Sequence, residues 1–413
     1  MPAVQLGFAE QPEDGPLSFS IGDFPDKIGG RPFWLNPRRA AKAEDVTCGV
    51  CEKTMALLLQ FYTPEDEPEA YHRVLYLFCC RNGACHRTRW KDCFKAFRSQ
   101  LPEFNPYYNP SESEALCAVK ARLCQMCGLD GSKQCARCKN APYCSRDHQI
   151  LDWTQGPHKE VCAASASGAS ATPTRKTPTV LFPEFELVSE EEQGYEASAA
   201  NDDGSDHDDE EELAGSELTP ELQKIKIDEA DTHEDIEETE VDVDKAFLRF
   251  QKRILKEPEQ VVRYARVSYA DGPHPEPLWV SDNGKIAQSD VPQCPHCNGP
   301  RVFEFQVMPQ LLNVLEINHY TADALDWGTV AVYSCIANCQ PSDGRAYVEE
   351  FVWRQMFSEH GMGDSAKAAL ARDAALKKVT AETSPAAEKS AAGEDSRAKN
   401  DSPPTSDSPS SAN

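Results

Sequence analysis

VTCGVCEKTMALLLQFYTPEDEPEAYHRVLYLFCCRNGAC (46–85) sets thiol pairs at the ends of two apolar runs. Cys48-x2-Cys51 comes just before MALLLQFY (55–62), and VLYLFCC (74–80) leads into Cys80-x4-Cys85. Runs of this length and β-branched or aromatic content predict strands. A C-x2-C turn presents two thiolates from one knuckle, and two such knuckles complete a tetrahedron around zinc. The stretch therefore predicts a zinc-ribbon-like β unit whose ligands are Cys48, Cys51, Cys85 and either Cys80 or Cys79. Cys80 is preferred because its spacing best matches a second copy of the pattern.

That second copy lies far downstream. CPHCNGPRVFEFQV (294–307) and TVAVYSCIANC (329–339) repeat the order of knuckle, strand, strand and knuckle, giving Cys294, Cys297, Cys335 and Cys339. Outward from each copy the landmarks continue. Thirteen residues separate Trp34 in RPFWLNP from Cys48, and 14 separate Trp279 in EPLWVSD from Cys294. The exit runs FKAFRSQ (94–100) and EEFVWRQ (349–355) also correspond. One module is read as duplicated, with an insertion between the copies.

The insertion carries a different pattern: Cys124-x2-Cys127, Cys135-x2-Cys138, Cys144-x3-His148 and His158-x3-Cys162. The last two pairs are four residues apart, which puts both donor atoms on one face of a helical turn. Eight ligands suffice for two closed Cys3His sites, and spacing alone leaves the pairing of knuckles with helical pairs open. Closed sites keep no position at which water could be activated, so they are structural. Three further cysteines, Cys79, Cys93 and Cys117, are left over as buried or incidental thiols.

Composition narrows the setting. The start, MPAVQLGFAEQPED, lacks a basic and then apolar leader, and no run approaches membrane-spanning length. A cytoplasmic and nuclear location, with no membrane partner, is the expectation; thiols there stay reduced, so 17 cysteines point to metal rather than disulfides. The formal charge is −26, and the run from Glu184 to Asp244 holds 26 acids against Lys224 and Lys226. Such a chain is repelled by phosphate backbones, which makes nucleic acid an unlikely partner and a basic protein a better one. The basic stretch Arg87, Arg89, Lys91, Lys95 and Arg98 reads as a solvated face beside core aromatics. Neither a phosphate-cradling glycine loop nor a G-x-S-x-G elbow is present, so no enzyme is expected.

YCSRDHQILDW (143–153) followed by HKEVC (158–162) resembles a MYND zinc finger. The resemblance implies interleaved pairing: Cys124, Cys127, Cys144 and His148 around one zinc, Cys135, Cys138, His158 and Cys162 around the other. His148 stands where many such fingers have cysteine. VQLGFAE, KIGGRPFWL, LYLFCCRNGAC, FEFQVMPQLLN, DWGTVAVYSC and EEFVWRQ together resemble the programmed cell death protein 2 family over most of the chain.

The expected architecture is mainly β with small α elements. Residues 1–115 form an N-terminal zinc-ribbon-like half, 120–162 the MYND finger and 163–242 a disordered acidic linker. A C-terminal zinc-ribbon-like half with a leading helix spans 243–362, and 363–413 is a disordered tail. Four zinc ions are expected, two in the finger and one in each half. The family resemblance implies a dedicated chaperone for a newly made basic small-subunit ribosomal protein, supporting 40S subunit biogenesis. The alternative is an adaptor in transcriptional or cell-fate signalling, with Pro-rich peptides on the MYND finger.

Overall fold

The computed structural model describes residues 4–12, 17, 19, 22–108, 121–167, 179–193, 244–266, 274–318, 321 and 323–357. The tail expected over 363–413, the linker residues 168–178 and 194–242, and Cys117 lie outside the described residues.

The fold is mainly β. Ten strands close into one barrel: β1 (Gln5–Glu10), β8 (Phe185–Glu191), β2 (Lys27–Ile28), β3 (Ala56–Tyr62), β4 (His72–Cys79), β5 (Phe94–Leu101), β12 (Val348–Gln355), β11 (Thr329–Cys335), β10 (Arg301–Val307) and β9 (Val262–Tyr264), in that spatial order; β6 (Lys133–Gln134) and β7 (Pro142–Tyr143) pair separately in the inserted finger. Every pairing is antiparallel, and β1 against β9 completes the circle. The six strands expected from the duplicated pattern are all present. They do not form two separately closed sheets: β5 of the first half bonds to β12 of the second, with Phe97 opposite Glu349.

Which way each strand points follows from contacts between strands that are not neighbours. Arg73 of β4 bonds to Glu304 of β10, with three strands between them, so both side chains point into the barrel. Leu75, Leu77 and Cys79 follow Arg73 inward at period two. Val74, Tyr76 and Phe78 face outward, where Trp34 packs at a tilt against Tyr76 with centroids 5.0 Å apart. The indole Nε1 of Trp34 donates to Gly128 O at 2.7 Å. Trp34 is thus a core residue, pinning the inserted finger to the outside of the sheet.

Two expectations about the acidic linker are corrected. Helix α3 (His158–Ser167) continues past residue 163, and residues 179–193 include strand β8. Alternation explains β8. Phe185 and Leu187 are buried while Glu186 is exposed, so a run that reads as solvated charge has an apolar face. Glu192 is itself buried and accepts from Arg263 at 2.8 Å.

The KIGGRP stretch serves this return segment. Gly29 has φ +61°, and a Cβ there would lie 1.9 Å from Pro183 O. Lys27 Nζ pairs with Glu184 alongside. Gly29→Ala is expected to cost at least ~2 kcal/mol, from left-handed backbone strain plus the backbone clash. A lowered urea midpoint measures it; an unchanged midpoint would show that 179–187 does not depend on this turn.

The leading helix is α4 (Lys245–Ile254), capped by Asp244 Oδ1, which accepts from Phe247 N at 3.0 Å. Ser281 Oγ donates to the second Asp244 oxygen at 2.7 Å, fixing the helix start to the loop after Trp279. Phe250 is buried beneath it and Trp279 is buried nearby in the chain. Among the described residues, no helix is long and apolar enough to cross a membrane.

Candidate metal centres

All four C-x2-C knuckles fold the same way. In each, the residue after the second cysteine has left-handed backbone: Glu52 (φ 57°), Gly128 (78°), Lys139 (54°) and Asn298 (55°). The N–H of that residue donates to the carbonyl of the first cysteine at 2.9 Å in every case: Glu52 to Cys48, Gly128 to Cys124, Lys139 to Cys135, Asn298 to Cys294. The turn directs both thiols to one side. Backbone N–H groups also point at sulfur, Val50 N to Cys48 Sγ and Gly299 N to Cys297 Sγ, each at 3.4 Å. Such donors favour the thiolate form.

Four groups result: Cys48, Cys51, Cys80 and Cys85; Cys124, Cys127, Cys144 and His148; Cys135, Cys138, His158 and Cys162; Cys294, Cys297, Cys335 and Cys339. Within each, the donor atoms all lie within 4.8 Å of one another. The structure thus brings every one of the 16 named residues into a quartet, with the finger pairs interleaved. Cys80 stands in its group, 3.8 Å from Cys51 Sγ. Cys79, one residue earlier on an alternating strand, faces inward and stays outside. Its thiol donates to Cys80 O at 3.4 Å, and burial pushes its pKa well up.

The donor sets fit zinc. A tetrahedral ion with Zn–S of about 2.3 Å and Zn–N of about 2.0 Å needs S···S edges of about 3.8 Å and S···N edges of about 3.5 Å. Cys135 and Cys162 are 3.8 Å apart, Cys335 and Cys339 3.7 Å, and Cys297 and Cys335 3.5 Å. Cys124 Sγ to His148 Nδ1 is 3.6 Å, and Cys138 Sγ to His158 Nε2 is 3.8 Å. Thiolate and imidazole donors suit zinc rather than a hard cation such as calcium or magnesium. The two histidines present different ring nitrogens. His148 sits in the first turn of α2 (Arg146–Thr154), whose cap Ser145 Oγ accepts from His148 N at 3.2 Å; His158 opens α3. In the first half, Cys85 stands in α1 (Gly83–Arg89), where Asn82 Oδ1 accepts from Ala84 N at 3.0 Å.

What surrounds the quartets was not apparent in the sequence. Asn338, with φ 44°, lies between Cys335 and Cys339, and its Oδ1 accepts from Arg73 Nε at 3.0 Å and Arg266 Nη2 at 3.1 Å. Arg98 Nη2 donates to Cys339 O at 3.0 Å, and Gln100 Nε2 donates to Asn338 O at 2.7 Å. First-half strands therefore grip the second half's knuckle. Glu304 pairs with Arg73 and Arg266, and Glu65 supplies Arg266 with a second carboxylate. Burial alone would raise the Glu304 carboxyl pKa, but the two guanidinium groups hold it down at about 2. Glu350 plays the same part for Arg98 (2.8 Å) and Arg301 (2.9 Å). The available signal was a charged residue set within a mostly apolar strand, Arg73 in HRVLYLF and Glu304 in RVFEFQV.

Cys93, set aside above, has its sulfur 3.9 Å from Cys48 Sγ, next to the first quartet. The basic stretch is also resolved. Arg87 pairs with Asp323, Arg89 with Asp92, Lys95 with Glu349 and the buried Arg98 with Glu350, while Lys91 sits 5.0 Å over the Trp353 ring. Its cations are occupied within the chain.

Comparison with known proteins gives the wider context. The family models for the N-terminal and C-terminal domains of programmed cell death protein 2 match residues 3–115 and 244–356, and the MYND finger model matches 124–162. The Bos taurus "Programmed cell death protein 2" is 37% identical over 367 residues, covering 85% of this chain and 96% of the relative. The Mus musculus protein of the same name is 38% identical, with the same coverage of each. The Schizosaccharomyces pombe "Probable 20S rRNA accumulation protein 4" is 25% identical, covering 84% of this chain and 96% of the relative. No solved structure matches.

Proposed function

Because the chain belongs to the programmed cell death protein 2 family, we propose that it is a non-catalytic zinc protein that holds a newly made, basic small-subunit ribosomal protein during 40S biogenesis. The observation that carries this reading is the closure of all four quartets. Each set supplies four protein donors, which builds a scaffold and leaves no open coordination position for reacting a substrate. The relative named for 20S rRNA accumulation supports a place in ribosome assembly. The formal charge of −26 supports a cationic client, since a ribosomal protein without its RNA carries unneutralised positive charge that an acidic holder can mask. On this reading the chain carries four zinc ions, works in cytoplasm and nucleus, and holds its client through two halves derived from one duplicated zinc-ribbon-like unit.

A second reading places the recognition on the finger. A cleft of about 320 Å³ lies beside the second finger quartet, lined by Arg31, Gln125, Asn140, Asp152, Pro157 and Val161 among others. A Pro-rich peptide taken up on the finger would make the chain an adaptor in transcriptional or cell-fate signalling. Affinity purification with quantitative peptide identification separates the two. One small-subunit ribosomal protein at near-equal molar amount is expected; co-regulator subunits in its place would transfer the function to the adaptor.

A further inference from the structure

We propose that the aromatic corner at the start of β4 is a docking surface for an arginine-bearing segment of a basic protein. This rests on the reading above, and names the part of the chain that meets the partner. His72 opens β4 opposite Leu101, the last residue of β5. Around it Phe24 stacks on Tyr62 at 4.8 Å and meets the Tyr108 ring at 4.9 Å, while Tyr71 packs edge-on to His72 at 5.0 Å. The loop after β5 is folded back over this cluster by Asn105. Its Nδ2 donates to Pro102 O at 2.9 Å, and its Oδ1 accepts from Tyr107 N at 2.9 Å and Tyr108 N at 3.0 Å.

An ordered backbone thus holds two large rings in water: Phe104 is 83% exposed and Tyr71 43%. A loop free to bury its phenylalanine would do so; here the Asn105 turn keeps it out, at a cost in apolar exposure that a partner would recover. Exposed Glu103 precedes Phe104 and acts on His72, and exposed Asp66 and Glu69 lie in the loop leading to Tyr71; no lysine or arginine among the described residues forms an ion pair with any of them. Burial lowers the pKa of His72 against the pull of Glu103, so the imidazole adds no positive charge near neutral pH.

Rings with carboxylates beside them favour a guanidinium, which stacks flat on an aromatic face while forking to a carboxylate; an ammonium is more strongly hydrated and does neither as well. The chain already uses this contact in the same loop, with Arg38 5.4 Å over the Tyr107 ring. Phosphate backbones are repelled by the three carboxylates, and a second copy of the patch would meet like charge.

The test uses the full-length zinc-loaded chain and two short fluorescein-labelled peptides of one sequence, carrying either several arginines or lysines in their place. At low salt the arginine peptide is expected to bind about tenfold tighter. F104A/Y71A should bring it down to the lysine level, and D66N/E69Q/E103Q should weaken both. These side chains are exposed, so zinc content and thermal midpoint should stay unchanged. Equal binding of the two peptides, or no loss in either variant, overturns the proposal. So does finding that F104A/Y71A abolishes self-association or single-stranded RNA binding while leaving peptide binding intact. A basic protein that copurifies undiminished with F104A/Y71A removes this surface but leaves the function standing. Arginine-selective binding with no basic protein copurifying does the reverse.

Discussion

Zinc removal is expected to unfold the barrel along with the finger. A structural zinc site contributes on the order of 10 kcal/mol or more of coupled folding free energy, while a whole domain is stable by only ~5–15 kcal/mol. Losing even one barrel centre therefore consumes most of the net stability. Coupling is direct in the second half, because the Cys335–Cys339 knuckle receives hydrogen bonds from Arg73, Arg98 and Gln100. Cys294→Ser should leave three zinc ions in place of four by elemental analysis, with a lower thermal midpoint. Excess chelator should abolish the cooperative transition. Metal-free protein that keeps its near-ultraviolet spectrum and melting profile would show the quartets to be incidental thiol clusters.

The second large effect concerns Glu304. With 0% exposure it faces two arginines, Arg73 and Arg266, that are themselves buried. Glu304→Ala strands Arg73 where water does not reach, while Arg266 keeps its pairing with Glu65, and breaking a buried pair in this way costs ~3–5 kcal/mol. The variant should therefore melt far earlier and surrender zinc from the Cys294 quartet faster, since Arg73 and Arg266 also hold Asn338. Replacing Arg73, Glu304 and Arg266 together by apolar residues of similar volume should restore much of the midpoint, because the one carboxylate left without a partner, Glu65, reaches solvent. If the single change moved neither the midpoint nor the zinc-release rate, the network would be shown to have an alternative counter-charge.

The quartets were readable in the sequence because their information is local. Each knuckle is four residues long, its turn is set by the left-handed residue after the second cysteine, and a helical pair spans only five residues. The choice of Cys80 over Cys79 came from matched spacing, and strand alternation separates the two side chains. The strands of both halves were legible from apolar runs. Barrel closure was not. Pairing of β5 with β12 joins residues about 250 positions apart, and nothing in either run encodes its neighbour. β8 was hidden differently: Phe185 and Leu187 give a short alternation inside a run dominated by acids. Buried Glu304 and Arg73 looked like solitary polar interruptions, since each explains the other only across the barrel.

Closure by distant strands has a consequence for how this protein is made. When β5 has left the ribosome, its partner β12 is still about 250 codons away, roughly 13–50 s of translation at ~5–20 residues per second. Throughout that interval β5 is an open sheet edge, the kind of surface that recruits other chains. The nascent first half therefore needs protection before it can offer any to a client, and a gene fragment ending at the finger should yield aggregates in place of a usable domain.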